Sequence, residues 1–177
     1  MGKEPKIEAL CAVDAHGEPL TLGEFNGFEI YPMPMFATLA VTDVSAMSNW
    51  YANALGFAVV FQGPPVKGQP SMVHLRRGKY QDVLLVPASG ATDSHPQTSV
   101  TLTFQSADVE TLAARARAAP ALDASSVEGP TNTPWNTRDL RVTDPCGHRL
   151  VFTCRATNPD SRQVARWSEA FDAARKK

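Results

Sequence analysis

One pattern of residues occurs twice from Met35 onward, and this repetition narrows the possible folds more than any other feature of the chain. Met35-Phe36-Ala37-Thr38-Leu39-Ala40-Val41 alternates like a strand, with Leu39 and Val41 on one face and Phe36, Thr38 and Ala40 on the other. Asp43 suits a helix N-cap. Val44, Met47, Tyr51, Ala54 and Leu55 then recur at helical spacing, and Gly56 suits the helix end. Phe57 to Gln62 reads as a strand, Gly63-Pro64-Pro65 as a turn, and two more strands are expected around 71–76 and 82–86. The second copy opens with Val100-Thr101-Leu102-Thr103-Phe104. Asp108-Val109 then answers Asp43-Val44, and Val109, Leu112, Ala113 and Ala116 again fall at helical spacing before Ala119-Pro120. The offset is 63 positions from Ala37 to Val100 and 65 from Asp43 to Asp108. Later strands are expected near 138–143 and 149–155, separated by the turn signal Asp144-Pro145-Cys146-Gly147.

A period of this length exceeds the roughly 20–50 residues of a solenoid repeat. It predicts an α+β fold in which two βαβββ modules form paired curved mixed sheets around a cleft. The expected units are an N-terminal extension over 1–34, a first module over 35–96, a second over 97–156 and a C-terminal helix over 157–177. The extension reads as a β-hairpin, with strands over 7–13 and 20–22 about the turn at 14–19. In the tail, Asn158-Pro159 suits a helix start, and Val164, Trp167, Phe171 and Ala174 form an apolar stripe expected to pack on the body or on a second subunit.

Each module covers one face of its sheet with its helix, which leaves the other face open. Phe36, Thr38 and Ala40 would line a cleft from the first module, and Ser99, Thr101 and Thr103 from the second. On the last strand Arg149, Val151 and Thr153 alternate toward the cleft, with Leu150 and Phe152 under the helix. An aromatic ring, hydroxyls and small apolar groups suit a concave site for an organic ligand. The charge balance, 17 basic against 18 acidic residues, offers no basic excess for nucleic-acid phosphates. No apolar run approaches the roughly 20 residues of a membrane span, and the first residues lack the apolar core of a signal peptide. A cytoplasmic protein is expected. Three cysteines, Cys11, Cys146 and Cys154, with no Cys-x-x-Cys pair, predict free thiols.

Leu39, Val41, Asp43-Val44, Trp50-Tyr51 and Leu55-Gly56-Phe57 resemble the opening module of the vicinal-oxygen-chelate superfamily, which includes glyoxalase I, extradiol dioxygenases, fosfomycin-resistance enzymes and bleomycin-resistance proteins. Pro134-Trp135-Asn136-Thr137-Arg138, followed by a short strand and Asp144-Pro145-Cys146-Gly147-His148, is similar to the bleomycin-resistance pattern Pro-Trp-Gly-x-Arg, strand, Asp-Pro-x-Gly-Asn/His. The resemblance covers about residues 35–155. The superfamily's enzymes hold a metal, and the corresponding positions here are Phe36, Val100 or Thr101, Val151, and one residue between Gln81 and Leu85. Phe and Val cannot coordinate a metal, so the expectation is a protein with no metal, no cofactor and no catalytic residues of the superfamily type.

The resemblance implies a binding protein that sequesters a small aromatic molecule, antibiotic-resistance-like, as a homodimer with clefts across the interface. Trp135 would stack on flat parts of the ligand and Arg138 would meet an acidic group or carbonyl. Phe36 and Val151 would give apolar surface in place of the metal, and Thr38, Phe61, His74, Arg76, Thr101 and Thr103 complete the expected ligand-binding set. The near-neutral charge argues against a cationic drug such as bleomycin and for a neutral or planar aromatic compound. Of the histidines, His16 and His95 lie in turn and linker and His148 is expected to be exposed, whereas His74 could face the cleft. The alternatives are a glyoxalase-like lyase or other enzyme of the superfamily working around His74, Gln81 and Asp82, and a structural partner protein without a cleft.

Overall fold

The computed structural model describes residues 23–25, 27–30, 35, 37–88, 100–119 and 126–157, with isolated helical positions between 162 and 173. The first module runs β3 (Ala37–Val41), α1 (Val44–Leu55), β4 (Ala58–Gln62), β7 (Val73–Gly78) and β8 (Gln81–Pro87). Within it the two-residue strands β5 (Pro65–Val66) and β6 (Gln69–Pro70) form a small hairpin. The second module runs β9 (Thr101–Gln105), α2 (Val109–Ala118), β10 (Val127–Asn132), β11 (Thr137–Thr143) and β12 (Arg149–Arg155). The strand orders β3-β8-β7-β4 and β9-β12-β11-β10 are the same, each with one parallel pair between its first and last strands. This is the α+β architecture of two βαβββ modules that the repeat predicts.

The periodicities explain the elements. Asp43 caps α1 by accepting from the Ala46 N–H at 2.8 Å, and Val44, Met47, Tyr51, Ala54 and Leu55 are all buried. Gly56 ends the helix at φ +74°, where a side chain would also crowd Arg115. Asp108 caps α2 through the Glu110 and Thr111 N–H groups. On the strands Leu39, Val41, Val83 and Leu85 in one sheet, and Phe104, Leu140, Val142, Leu150 and Phe152 in the other, point to the helix side. They belong to one core that includes both helices. A row of rings crosses the seam: Tyr51 meets Phe57 edge-on at 5.4 Å, Phe57 meets Phe104 at 5.6 Å, and Phe104 stacks on Phe152 at 5.4 Å. Truncating one of these rings costs about 3–5 kcal/mol.

Polar groups also cross the seam. Arg115 of α2 donates to the Ala52 and Asn53 carbonyls at the C-terminal end of α1, where a cation is favoured. Arg77 of β7 donates to the Leu55 and Gln105 carbonyls and to Ser106 Oγ, with its guanidinium 5.1 Å from the centre of the Phe152 ring. The Tyr51 hydroxyl donates to Asp144 Oδ2 at 2.8 Å. Burial, and then the Asp144 carboxylate, push that phenol well above its ordinary value, so it stays a donor.

Several expectations need correction. His148 is 5% exposed rather than solvated, because Asp144 holds it twice, through its N–H at 2.8 Å and its ring Nδ1 at 2.8 Å. The second module's strand β10 carries Gly129 and Pro130, which break the alternation that marks strands in sequence. A short hairpin pairs β1 (Gly23–Phe25) with β2 (Phe28–Ile30), and the hairpin expected over 7–22 lies outside the described residues. Residues 7–13 and 20–22, Phe36, Ser99 and the tail stripe Val164, Trp167, Phe171 and Ala174 lie outside the described residues. The described helical residues of the tail, among them Arg162, Arg166, Glu169 and Asp172, are exposed. Among the described residues no helix is long and apolar enough to cross a membrane.

Candidate functional site

The open faces carry seven of the expected site residues, Thr38, Phe61, His74 and Arg76 on the first sheet and Thr101, Thr103 and Val151 on the second, and the two faces differ. On the first sheet Thr38, Ala58, Phe61, His74, Arg76, Asp82 and Leu84 share that face, by alternation and register. Asp82 organises it. His74 Nε2 donates to Asp82 Oδ2 at 2.7 Å, and Arg76 donates to the same carboxylate through Nε and Nη2 at 2.9 and 2.8 Å. Burial alone would raise the Asp82 carboxyl, but the hydrogen bonds from His74 and Arg76 outweigh it and hold the group below its ordinary value of 3.8. Arg76 Nη1 also donates to the Glu29 carbonyl at 2.6 Å, and Lys79 pairs with the Glu29 carboxylate at 3.2 Å. The β1–β2 hairpin is therefore tied to this sheet. Gln81 donates to the Gln105 carbonyl at the seam rather than to Asp82, although Gln81 and Asp82 both line one depression there, and His74 does not line it.

On the second sheet the open face holds Thr101, Thr103 and Gln105 of β9, Arg149, Val151 and Thr153 of β12, Thr137, Asp139, Arg141 and Thr143 of β11, and Glu128 of β10. Thr101, Thr103 and Val151, all predicted site residues, come together here. At one end a hydroxyl network is closed around Asp139, which is 5% exposed: Thr137 and Thr153 donate to its Oδ1 at 2.8 and 2.7 Å, and Thr133 shares a hydrogen bond with Thr137. Beyond it lies the Trp135 loop. Thr133 N–H donates to the Thr137 carbonyl at 2.8 Å and Ala156 N–H to the Asn136 carbonyl at 3.1 Å, while Asn136 takes φ +65°. The loop is held from both ends, and Trp135 at its tip is 52% exposed. At the other end Thr101, Glu128, Arg141, Thr143, Arg149 and Val151 line a depression of about 440 Å³.

Arg138 does not join these residues. Its guanidinium meets Glu110 of α2 at 2.6 Å and Asn132 at 3.0 Å, which puts it on the helix side of β11. Phe36 lies outside the described residues. The sequence reading missed Asp139, Arg141 and Thr143. Carrying the outward alternation of Val151 and Thr153 across to the neighbouring strand would have found all three.

The superfamily's metal does not fit the residues present. Val151 has no donor atom, Thr101 and Thr103 offer only neutral hydroxyls, and two guanidiniums stand on the same face. The Asp82 carboxylate already accepts from His74 and Arg76. Among the described residues no group of three or more His, Cys, Asp or Glu side chains is placed to share an ion.

No protein of curated function matches the sequence. Solved structures with the same fold include TioX from Micromonospora sp. ML1, with 22% identity, a TM-score of 0.54, and coverage of 68% of this chain and 97% of that one. TnmS3, an antibiotic binding protein from Streptomyces sp. CB03234, has 23% identity and a TM-score of 0.51 over 68% of this chain and 93% of that one. A bleomycin resistance determinant encoded on the transposon Tn5 has 17% identity and a TM-score of 0.54 over 70% and 98%. The family model that describes the Glyoxalase/Bleomycin resistance protein/Dioxygenase superfamily matches residues 34–152, from the start of the first module into β12, and the chain belongs to that superfamily.

Proposed function

We propose that this chain binds and sequesters a small planar aromatic molecule, with no bound metal and no chemical turnover. The observation that carries this reading is Trp135, a flat and half-exposed ring on a loop whose backbone is fixed on both sides. A ring held in place before the ligand arrives loses little freedom on binding. The two similar structures described as an antibiotic binding protein and a bleomycin resistance determinant support the same reading. A cytoplasmic homodimer, whose second subunit closes over the open faces, is part of the proposal.

The test is a fluorescence titration with planar aromatic compounds, followed by native mass spectrometry and metal analysis of the same sample. A binding compound should be recovered unchanged from a metal-free dimer. Trp135→Ala should weaken it by roughly twofold to tenfold, the equivalent of about 0.5–1.5 kcal/mol of stacking. Tightly held stoichiometric metal would overturn the reading.

A second reading rests on the His74–Asp82 pair, whose 2.7 Å contact orients the imidazole as a general base is oriented in many enzymes. It makes the chain a glyoxalase-like lyase or another enzyme of the superfamily. It predicts that a bound compound is converted, and that His74→Ala abolishes conversion while binding survives.

A further inference from the structure

Arg141 and Arg149 stand on adjacent strands of the second sheet's open face. Arg141 is opposite Val151 and Arg149 is opposite Thr143, so the two arginines are diagonal neighbours about 7–8 Å apart at the backbone. Both are exposed, and among the described residues neither guanidinium has a hydrogen-bond or ion-pair partner. Every other arginine described in the body of the fold is engaged: Arg76 on Asp82, Arg77 and Arg115 on α1 carbonyls, Arg117 on the Gly129 carbonyl, Arg138 on Glu110. The outlying exceptions among the described residues are Arg155 at the end of its strand and Arg166 of the tail. Both of these arginines line the 440 Å³ depression, with Thr101 and Thr143 on either side of Arg149, and Glu128 and Val151 on either side of Arg141.

We propose that this depression is an oxyanion site that takes a compact monoanionic organic carboxylate, separate from the Trp135 loop. The carboxylate would sit between the two guanidiniums, with Thr101 and Thr143 as further donors and the organic part on Val151. A charged acceptor is what such donors recognise best. Glu128 faces Arg141 across β10 and β11 without pairing to it, so the depression holds two positive charges against one negative. A single negative charge on the ligand is the match. Asp139, the face's other carboxylate, is buried under Thr137 and Thr153 and does not line the depression. From Thr137 to Thr143 the strand rises about 20 Å. A compact ligand at Arg149 therefore cannot also stack on Trp135.

The test uses 2-naphthoate, its neutral isostere 2-naphthamide and inorganic phosphate, titrated calorimetrically into the full chain. The naphthoate should bind about tenfold or more tighter than the amide, as expected for one or two charge-assisted hydrogen bonds. The preference should vanish in Arg141→Ala/Arg149→Ala, and Glu128→Gln should strengthen naphthoate binding a few-fold. Trp135→Ala should leave it unchanged. All four positions are exposed, and an unaltered urea midpoint establishes that the variants fold. Equal binding of acid and amide, no binding of the acid, or an acid preference that survives loss of both arginines would each overturn the proposal. Phosphate binding tighter than naphthoate would replace the organic acid by a free inorganic anion. A loss in Trp135→Ala as large as in the arginine variant would overturn the separateness of the two sites.

Discussion

The two sheets present the same kind of surface in opposite states. In the first module the charges of the open face are satisfied within the chain: Asp82 neutralises Arg76 and orients His74, and the β1–β2 hairpin sits on the same guanidinium. In the second module Arg141 and Arg149 are unpaired over a depression, and the face's buried carboxylate is satisfied by hydroxyls rather than by cations. Register makes the contrast concrete. Thr38 pairs with Leu84 in the first sheet, and Thr101, its counterpart in the repeat, pairs with Arg149 in the second. Beneath the helices the modules match, with leucines or valines or phenylalanines at corresponding positions. Repeating a module repeats its core because the helix demands it. Nothing demands that the open face be repeated, so the binding chemistry of the two halves is set separately.

Substitutions can break this comparison. Asp82→Ala should have the largest effect, because it strands Arg76 and His74 on a face covered by the hairpin. A loss of about 3 kcal/mol in urea denaturation is expected, with faster amide exchange over Phe28–Ile30. The pH dependence has a definite sign. The Asp82 carboxyl is held below its ordinary value of 3.8, so its contribution is complete above that value and is lost as the pH falls further toward the folded-state value. Asp82→Asn should remove that part of the acid limb, measured as unfolding free energy between about pH 5 and pH 2. Asp139→Ala should cost less, about 1–3 kcal/mol, since it leaves two hydroxyls without an acceptor. It should also loosen the Trp135 loop, seen as weaker fluorescence anisotropy. The smallest effect sharpens the contrast: Arg149→Leu gives the second face the residue of the first. It should shift stability by no more than about 0.5 kcal/mol in urea denaturation.

The core and the two helices were legible in the sequence because a buried side must repeat every 3.6 or every 2 residues. Every apolar position assigned to α1 and α2 on that ground is buried. Strand β10 was not legible, since Gly129 and Pro130 hide its alternation. His148 looked like a solvated turn residue, and only the folded turn brings Asp144 back to it. Arg138 carried the family pattern but answers to Glu110, 28 positions away, which no local spacing reveals. Arg141 and Arg149 read as ordinary surface charges. What distinguishes them is the lack of a partner, and that is a property of the fold.

Asp144 illustrates how history constrains such a chain. Its carboxylate accepts from Tyr51 in one half and from His148 and Cys146 in the other. Arg115 and Arg77 lend donors across the same boundary. Neither half can be deleted, or exchanged for a copy of its sibling, without stranding these groups, so a substitution at the seam is felt in both halves. The open faces carry no such joint obligation, and in this architecture they are the ground on which new ligand preferences can be written without renegotiating the scaffold.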